Sequence, residues 1–282
     1  MPDQEKFRFI TLLAKELAAD KIRLPSLPDV VIRIRNLLEQ DHCDFEQVSR
    51  LVRVDPILVS RLFVFANSAY HNQSGERVDS LDVAISRLGF ELVRNTAVSL
   101  AIKQLFLGEK HKEIAPQLRK IWARSMKMSA MCFALADCHG NVNAETAFMC
   151  GLFNEVGKLY ILTKAKEFPT FLGDPESLRS VLEEWHPQVG KNIIEAWNFP
   201  ADVCESVDAE EYLIELTHDL PTMVDVVYAA SLLLDASDAE APDLKAIPSC
   251  VKLGVTDQSM PLIVETYETR LQSVQQSLAA AA

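Results

Sequence analysis

Ala147-Phe148-Met149-Cys150-Gly151-Leu152-Phe153-Asn154-Glu155-Val156-Gly157-Lys158-Leu159-Tyr160-Ile161-Leu162 is the stretch that decides how this chain is read. It is an apolar helical pattern interrupted by the polar pair Asn154-Glu155 and closed by Gly157-Lys158. A carboxylate inside an apolar helix costs free energy unless it is hydrogen-bonded or put to use. The pair therefore predicts a structural knot or a functional site, and the rest of the chain has to choose between them.

The chain has 282 residues, of which 49% are apolar, enough for one large domain or two of ordinary size. Only 9 glycines occur, while Leu, Ala, Glu and Lys are plentiful, which favours helix over sheet. No run of about 18 apolar residues predicts a transmembrane helix. The charged start, Met1 to Lys6, has no signal-peptide pattern. Six cysteines, at positions 43, 132, 138, 150, 204 and 250, are scattered with no C-x-x-C pair. That usage predicts reduced thiols in a cytoplasmic protein and no zinc site. The net charge of -12 is unevenly placed: residues 174–243 hold 17 Asp/Glu against Arg179 and Lys191. Such a segment repels phosphate backbones and predicts a solvated acidic face, not a nucleic-acid interface.

Hydrophobic periodicity predicts helices over 3–19, 29–39 and 45–54. Between the first two lies the proline-punctuated turn Leu24-Pro25-Ser26-Leu27-Pro28. Asp55-Pro56 predicts an N-cap and first turn for a fourth helix. Asp79-Ser80 opens a short helix that Gly89 ends, and a long one follows over 91–106. His111 to Pro116 reads as a connector between two halves, 1–110 and 111–282. Helices then follow over 117–137, 144–162 and 175–185, with another opening at Trp185-His186-Pro187 and ending at Trp197-Asn198-Phe199-Pro200. Further helices are expected over 201–212, 221–235 and 257–278, with a loop over 236–254. The helix-turn-helix-like pattern in 46–65 is too apolar for a groove reader and suits a core. Methionines 126, 128 and 131 read as core filler. The basic residues from Arg87 to Lys127 read as a solvated face, or as a docking surface for an acidic partner.

Several of these segments together resemble one family. Leu24-Pro25-x-Leu27-Pro28 comes first, then Asp55-Pro56-x-Leu58-x-x-Arg61-Leu62 and Ala66-Asn67-Ser68-Ala69-Tyr70. Ala84-Ile85-x-Arg87-Leu88-Gly89, Arg94-Asn95 and the His186-x-x-Val189-Gly190 to Trp197-x-x-Pro200 segment follow in order. They resemble the HDOD module, the HD-related output domain of bacterial signalling proteins. The resemblance implies an all-α fold, with an N-terminal helical bundle packed on a degenerate HD-like bundle.

The opening stretch resembles the Gly-Leu-Leu-His-Asp-Ile-Gly-Lys segment of HD phosphohydrolases, whose His-Asp pair binds metal. That resemblance places the first metal-binding His at Arg124, the His-Asp pair at Asn154-Glu155 and the later Asp at Ser231 or a neighbouring Ala. Histidines that some members carry near Asp208 are missing. A guanidinium stays protonated and cannot ligate a metal, so an ion pair between Arg124 and Glu155 is expected in the metal's place. His186 survives from the family pattern and is expected to cap its own helix or bond to a neighbouring one, with a metal or phosphate contact as the alternative.

No nucleophile elbow or glycine-rich phosphate loop is present. No catalytic residue, metal ligand or cofactor is therefore expected. The expected function is a non-catalytic, stand-alone cytoplasmic signalling scaffold that binds a protein partner or a small nucleotide-like ligand, with no membrane contact. The alternative is a metal-dependent phosphohydrolase acting on nucleotides or cyclic dinucleotides with an unusual ligand set. Candidate groove residues for a partner are Asn67, Ser68, Tyr70, Arg87, Arg94, Asn95 and Lys158.

Overall fold

Helix after helix follows from the apolar periodicities, and their ends are set by local chemistry. The computed structural model describes residues 2–19, 21, 22, 24, 27–38, 44–68, 70–72, 74–208, 220–236 and 243–279. The first half contains α1 (Pro2–Ala18), α2 (Asp29–Leu38), α3 (Phe45–Arg53), α4 (Pro56–Ala66) and α5 (Leu81–Leu107). Then come α6 (Ala115–His139), α7 (Ala144–Phe153), α8 (Val156–Ala165), α9 (Pro169–Leu172) and α10 (Pro175–Ala196). Last are α11 (Ala201–Ser206), α12 (Met223–Asp235), α13 (Pro248–Lys252) and α14 (Met260–Ala279). No strand occurs among the described residues, and none of their helices is long and apolar enough to cross a membrane.

The expected punctuation is visible. Asp55 accepts hydrogen bonds from the N–H groups of Ile57 and Leu58 at 2.9 and 3.1 Å, with Pro56 opening α4. Gly89 takes φ 77°, a left-handed value that breaks α5 between its short and long parts. The face of α4 carrying Leu58, Leu62 and Phe65 is buried, so the helix-turn-helix-like segment is core. Methionines 126, 128 and 131 on α6 are buried as well.

Three expectations change. Helix α10 runs unbroken from Pro175 to Ala196 with Pro187 inside it, where two helices were expected. The connector at 111–116 is instead a 3-10 turn, Glu109–Ile114, that leads directly into α6 and buries Ile114. The expected loop over 236–254 contains α13, because Pro248 opens a turn that buries Cys250 and Leu253. The helix expected over 201–212 is seen as far as Ser206, and its expected end, residues 209–212, lies outside the described residues.

Packing crosses the expected division at residue 110. Helix α1 packs on α9 and α10, in the second half of the chain. Phe9 lies 4.9 Å from Phe171 and 5.5 Å from Phe168, centroid to centroid. Glu5 accepts from the N–H groups of Thr170 and Phe171 at 2.9 and 3.0 Å, capping α9. Glu16 accepts from the Tyr160 hydroxyl at 2.6 Å and from Lys164 at 2.9 Å.

At the other end, α14 packs on both α6 and α4, and Lys103 of α5 donates to the Leu278 carbonyl. Buried Arg270 of α14 stacks over Phe133 and Phe148 and donates to both oxygens of Glu145 at 2.7 and 2.9 Å. Each half therefore supplies a helix that holds the other.

Candidate functional site

The site grows from one close approach. A Cβ added to Gly157 would lie 2.0 Å from the His186 carbonyl oxygen and 2.8 Å from the Gly190 nitrogen. Only glycine lets the start of α8 seat on the middle of α10, and this brings Glu155, Lys158 and His186 together. The apolar stretch breaks at Asn154-Glu155, so α7 and α8 meet at a corner and are not one helix. Half-buried Asn154 sits at the end of α7, where its N–H donates to the Cys150 carbonyl.

Glu155, 2% exposed, accepts from Lys158 Nζ at 2.8 and 3.0 Å and from Arg124 Nε at 3.2 Å. Arg124 then turns its two terminal nitrogens to Asp235 at the end of α12, at 2.7 and 2.8 Å. Its Nη2 also lies 3.4 Å from the Ser231 hydroxyl. The Asp235 carboxylate and, less strongly, Glu155 hold the guanidinium above its ordinary pKa against the effect of burial. The result is a chain of alternating charge, Lys158–Glu155–Arg124–Asp235, stretching from α8 across α6 to α12.

His186 shows what its neighbour requires. Pro187 has no N–H, so the carbonyl of Glu183 loses its helical donor. His186 Nδ1 lies 2.8 Å from the Leu182 carbonyl oxygen and 3.2 Å from that of Glu183. A carbonyl only accepts, so Nδ1 carries the proton. Burial, and then the Lys158 charge, pull the ring's pKa down to about 4, although Glu155 works in the opposite direction. The ring is therefore neutral at pH 7 and satisfies a backbone that proline left short.

The five positions expected at a degenerate HD site, Arg124, Asn154, Glu155, His186 and Ser231, fall in one region. Asp235 was missed. It lies one turn beyond Ser231, and this i, i+4 spacing on α12 was the available signal. Several candidate groove residues are engaged in internal hydrogen bonds. Asn67 ties the end of α4 to the following loop, donating to the Phe63 and Val78 carbonyls and accepting from the Val78 N–H. The Ser68 hydroxyl donates to the Phe65 carbonyl, and Tyr70 lies edge-on to His71. Arg87 donates to Asn72 Oδ1 at 2.8 Å. Arg94 Nε lies 3.4 Å from Asn95 Oδ1. Asn95, expected on a partner surface, is instead 1% exposed and donates to Glu145. Lys158 belongs to the ion-pair chain. The basic run from Arg87 to Lys127 is likewise divided, since Arg87, Lys103 and Arg124 are committed internally.

A divalent metal needs carboxylates and neutral imidazoles converging on one point. Among the described residues no group of three or more His, Cys, Asp or Glu does so. The donor set fits an ion-pair chain and does not fit a metal.

The architecture has solved counterparts. A candidate metal-dependent phosphohydrolase from Shewanella amazonensis superposes with a TM-score of 0.80 at 23% identity, over 96% of this chain and 99% of that one. An HDOD domain protein from Geobacter sulfurreducens gives 0.66 at 20% identity, over 95% and 97%. A candidate signal transduction protein from Marinobacter aquaeolei gives 0.63 at 22% identity, over 91% of this chain and 59% of that one. At these identities the likeness concerns the fold. No curated protein matches the sequence. The model of the HDOD domain matches residues 24–212, which include Arg124, Asn154, Glu155, Lys158 and His186, and the chain belongs to the HDOD family.

Proposed function

We propose that this protein is a non-catalytic signalling scaffold of the HDOD family that works by binding a partner. The observation that carries this reading is Arg124: a permanent cation pairs with Glu155, at the position where the family resemblance would put a metal ion. Glu155 needs a positive charge to be buried. Arg124 and Lys158 supply it, leaving no demand for a metal to balance that charge. His186 commits its Nδ1 to its own helix, and Ser231 offers a hydroxyl where a carboxylate ligand would stand.

The test is phosphoester turnover. Purified protein supplied with Mn2+ is expected to leave bis-p-nitrophenyl phosphate and cyclic dinucleotides intact. Turnover abolished by Glu155→Gln would overturn the reading and install the metal-dependent phosphohydrolase alternative.

A further inference from the structure

We infer that the groove between α2 and α3 is a docking site for an acidic segment of a protein partner, one that carries an apolar side chain between carboxylates. The inference rests on the scaffold reading above and deepens it. The groove is open, about 520 Å3 in volume, and lined by Arg33, Asn36, Leu37, Gln47, Arg50 and Leu51. Its leucines offer an apolar surface, with Leu37 buried and Leu51 half-buried. The four polar residues are exposed, and none of them is a carboxylate.

The groove edge is built of hydrogen-bond donors. Arg35, buried next to Asn36, has only N–H groups to offer. Its Nη2 and Nε lie 2.9 and 3.3 Å from Asn36 Oδ1, so the amide oxygen is turned to Arg35 and the amide nitrogen is left to donate. Arg50 commits only Nε, to the Glu46 carbonyl at 3.3 Å. Among the described residues, neither Arg33 nor Arg50 forms an ion pair, whereas Arg53, one turn beyond Arg50, binds Asp82 at 2.9 Å. Two uncommitted guanidiniums and an outward amide donor around an apolar surface call for acceptor charge with an apolar residue between. A nucleic acid fits less well: two cations are few for a phosphate backbone, the surface between them is aliphatic, and the chain carries a net charge of -12.

The experiment is fluorescence anisotropy with the full chain. The probes are a labelled synthetic peptide with a central leucine flanked by glutamates, the same peptide with lysines, and a single-stranded oligonucleotide of similar length. The glutamate peptide is expected to bind, and to weaken with salt. The Arg33→Glu/Arg50→Glu variant should lose about tenfold or more in affinity. Asn36→Asp keeps an oxygen for Arg35 but turns the outward donor into an acceptor, and should weaken binding in the same direction. All three positions are exposed, so unchanged melting temperatures will show that the variants fold. Equal binding by the charge-reversed variant, preference for the oligonucleotide, or no binding of the peptide by the wild type would overturn the proposal. A native partner that co-purifies equally with wild type and charge-reversed variant would reject the groove while keeping the scaffold reading.

Discussion

Arg124 Nε and Glu155 Oε1 lie 3.2 Å apart, joining the middle of α6 to the corner between α7 and α8. The pair is asymmetric: the Glu155 side chain is 3% exposed and that of Arg124 is 32% exposed. Removing the carboxylate and removing the guanidinium are therefore different perturbations. Arg124→Ala leaves Glu155 with Lys158 alone and strands Asp235 at the surface. The expected loss is about 2 kcal/mol, below the range for fully buried pairs because Arg124 is partly hydrated. Calorimetry should show a melting temperature about 5 °C lower. Arg124→Met combined with Glu155→Gln should recover part of it, since the buried carboxylate is then neutral and only Lys158, which is partly exposed, loses its partner. An unchanged midpoint in the single variant would mean the pair holds nothing.

Gly157→Ala addresses the contact that assembles the site. The added carbon would meet the His186 carbonyl at 2.0 Å, and backbone cannot swing aside as a side chain does. The variant is expected to lose more than about 4 kcal/mol, or to fail to fold. A soluble variant with wild-type urea midpoint would show that α8 and α10 are not so closely seated.

Acid should weaken the fold through His71 and His186. Burial pulls both rings from 6.5 down to about 4, helped by the Arg270 charge at His71 and the Lys158 charge at His186. Between those values the unfolded chain binds protons that the folded chain refuses, so stability falls as pH drops from about 6.5 to about 4. His186 alone should contribute a loss of about 3 kcal/mol over that window. Urea midpoints at pH 7 and pH 4.5 measure it. A flat profile would contradict the buried, neutral state of both rings.

Phe9→Ala tests whether α1 is integral to the second half of the chain. The ring is buried between Phe168 and Phe171, and its loss should cost about 3–5 kcal/mol. Hydrogen exchange should rise over α9 as well as α1. Faster exchange confined to residues 2–18 would show that α1 is an appendage.

Much of this was legible in the sequence because it is local. Asp55-Pro56 announced a cap and Gly89 a break, and both depend only on neighbouring backbone. The knot at Asn154-Glu155 was legible because a buried carboxylate demands a partner, and few cations were placed to supply one. What was missed depends on distance or on compensation. Nothing near Phe9 says that its partners lie some 160 residues away. Pro187 reads as a helix start unless one knows that His186 can cover the carbonyls of the preceding turn. Asp235 is not marked by the family pattern, which ends near Ser231, although the charge that Arg124 needs lies one turn further along the same helix.

In the proposed scaffold an internal cation takes the place of a metal at this site. Calorimetric titration of Mn2+ into chelator-treated wild-type protein, with metal analysis of the protein as purified, tests it most directly. Substoichiometric metal as purified and no saturable heat are expected. About one equivalent of metal, or tight saturable binding that Glu155→Gln abolishes, would contradict it.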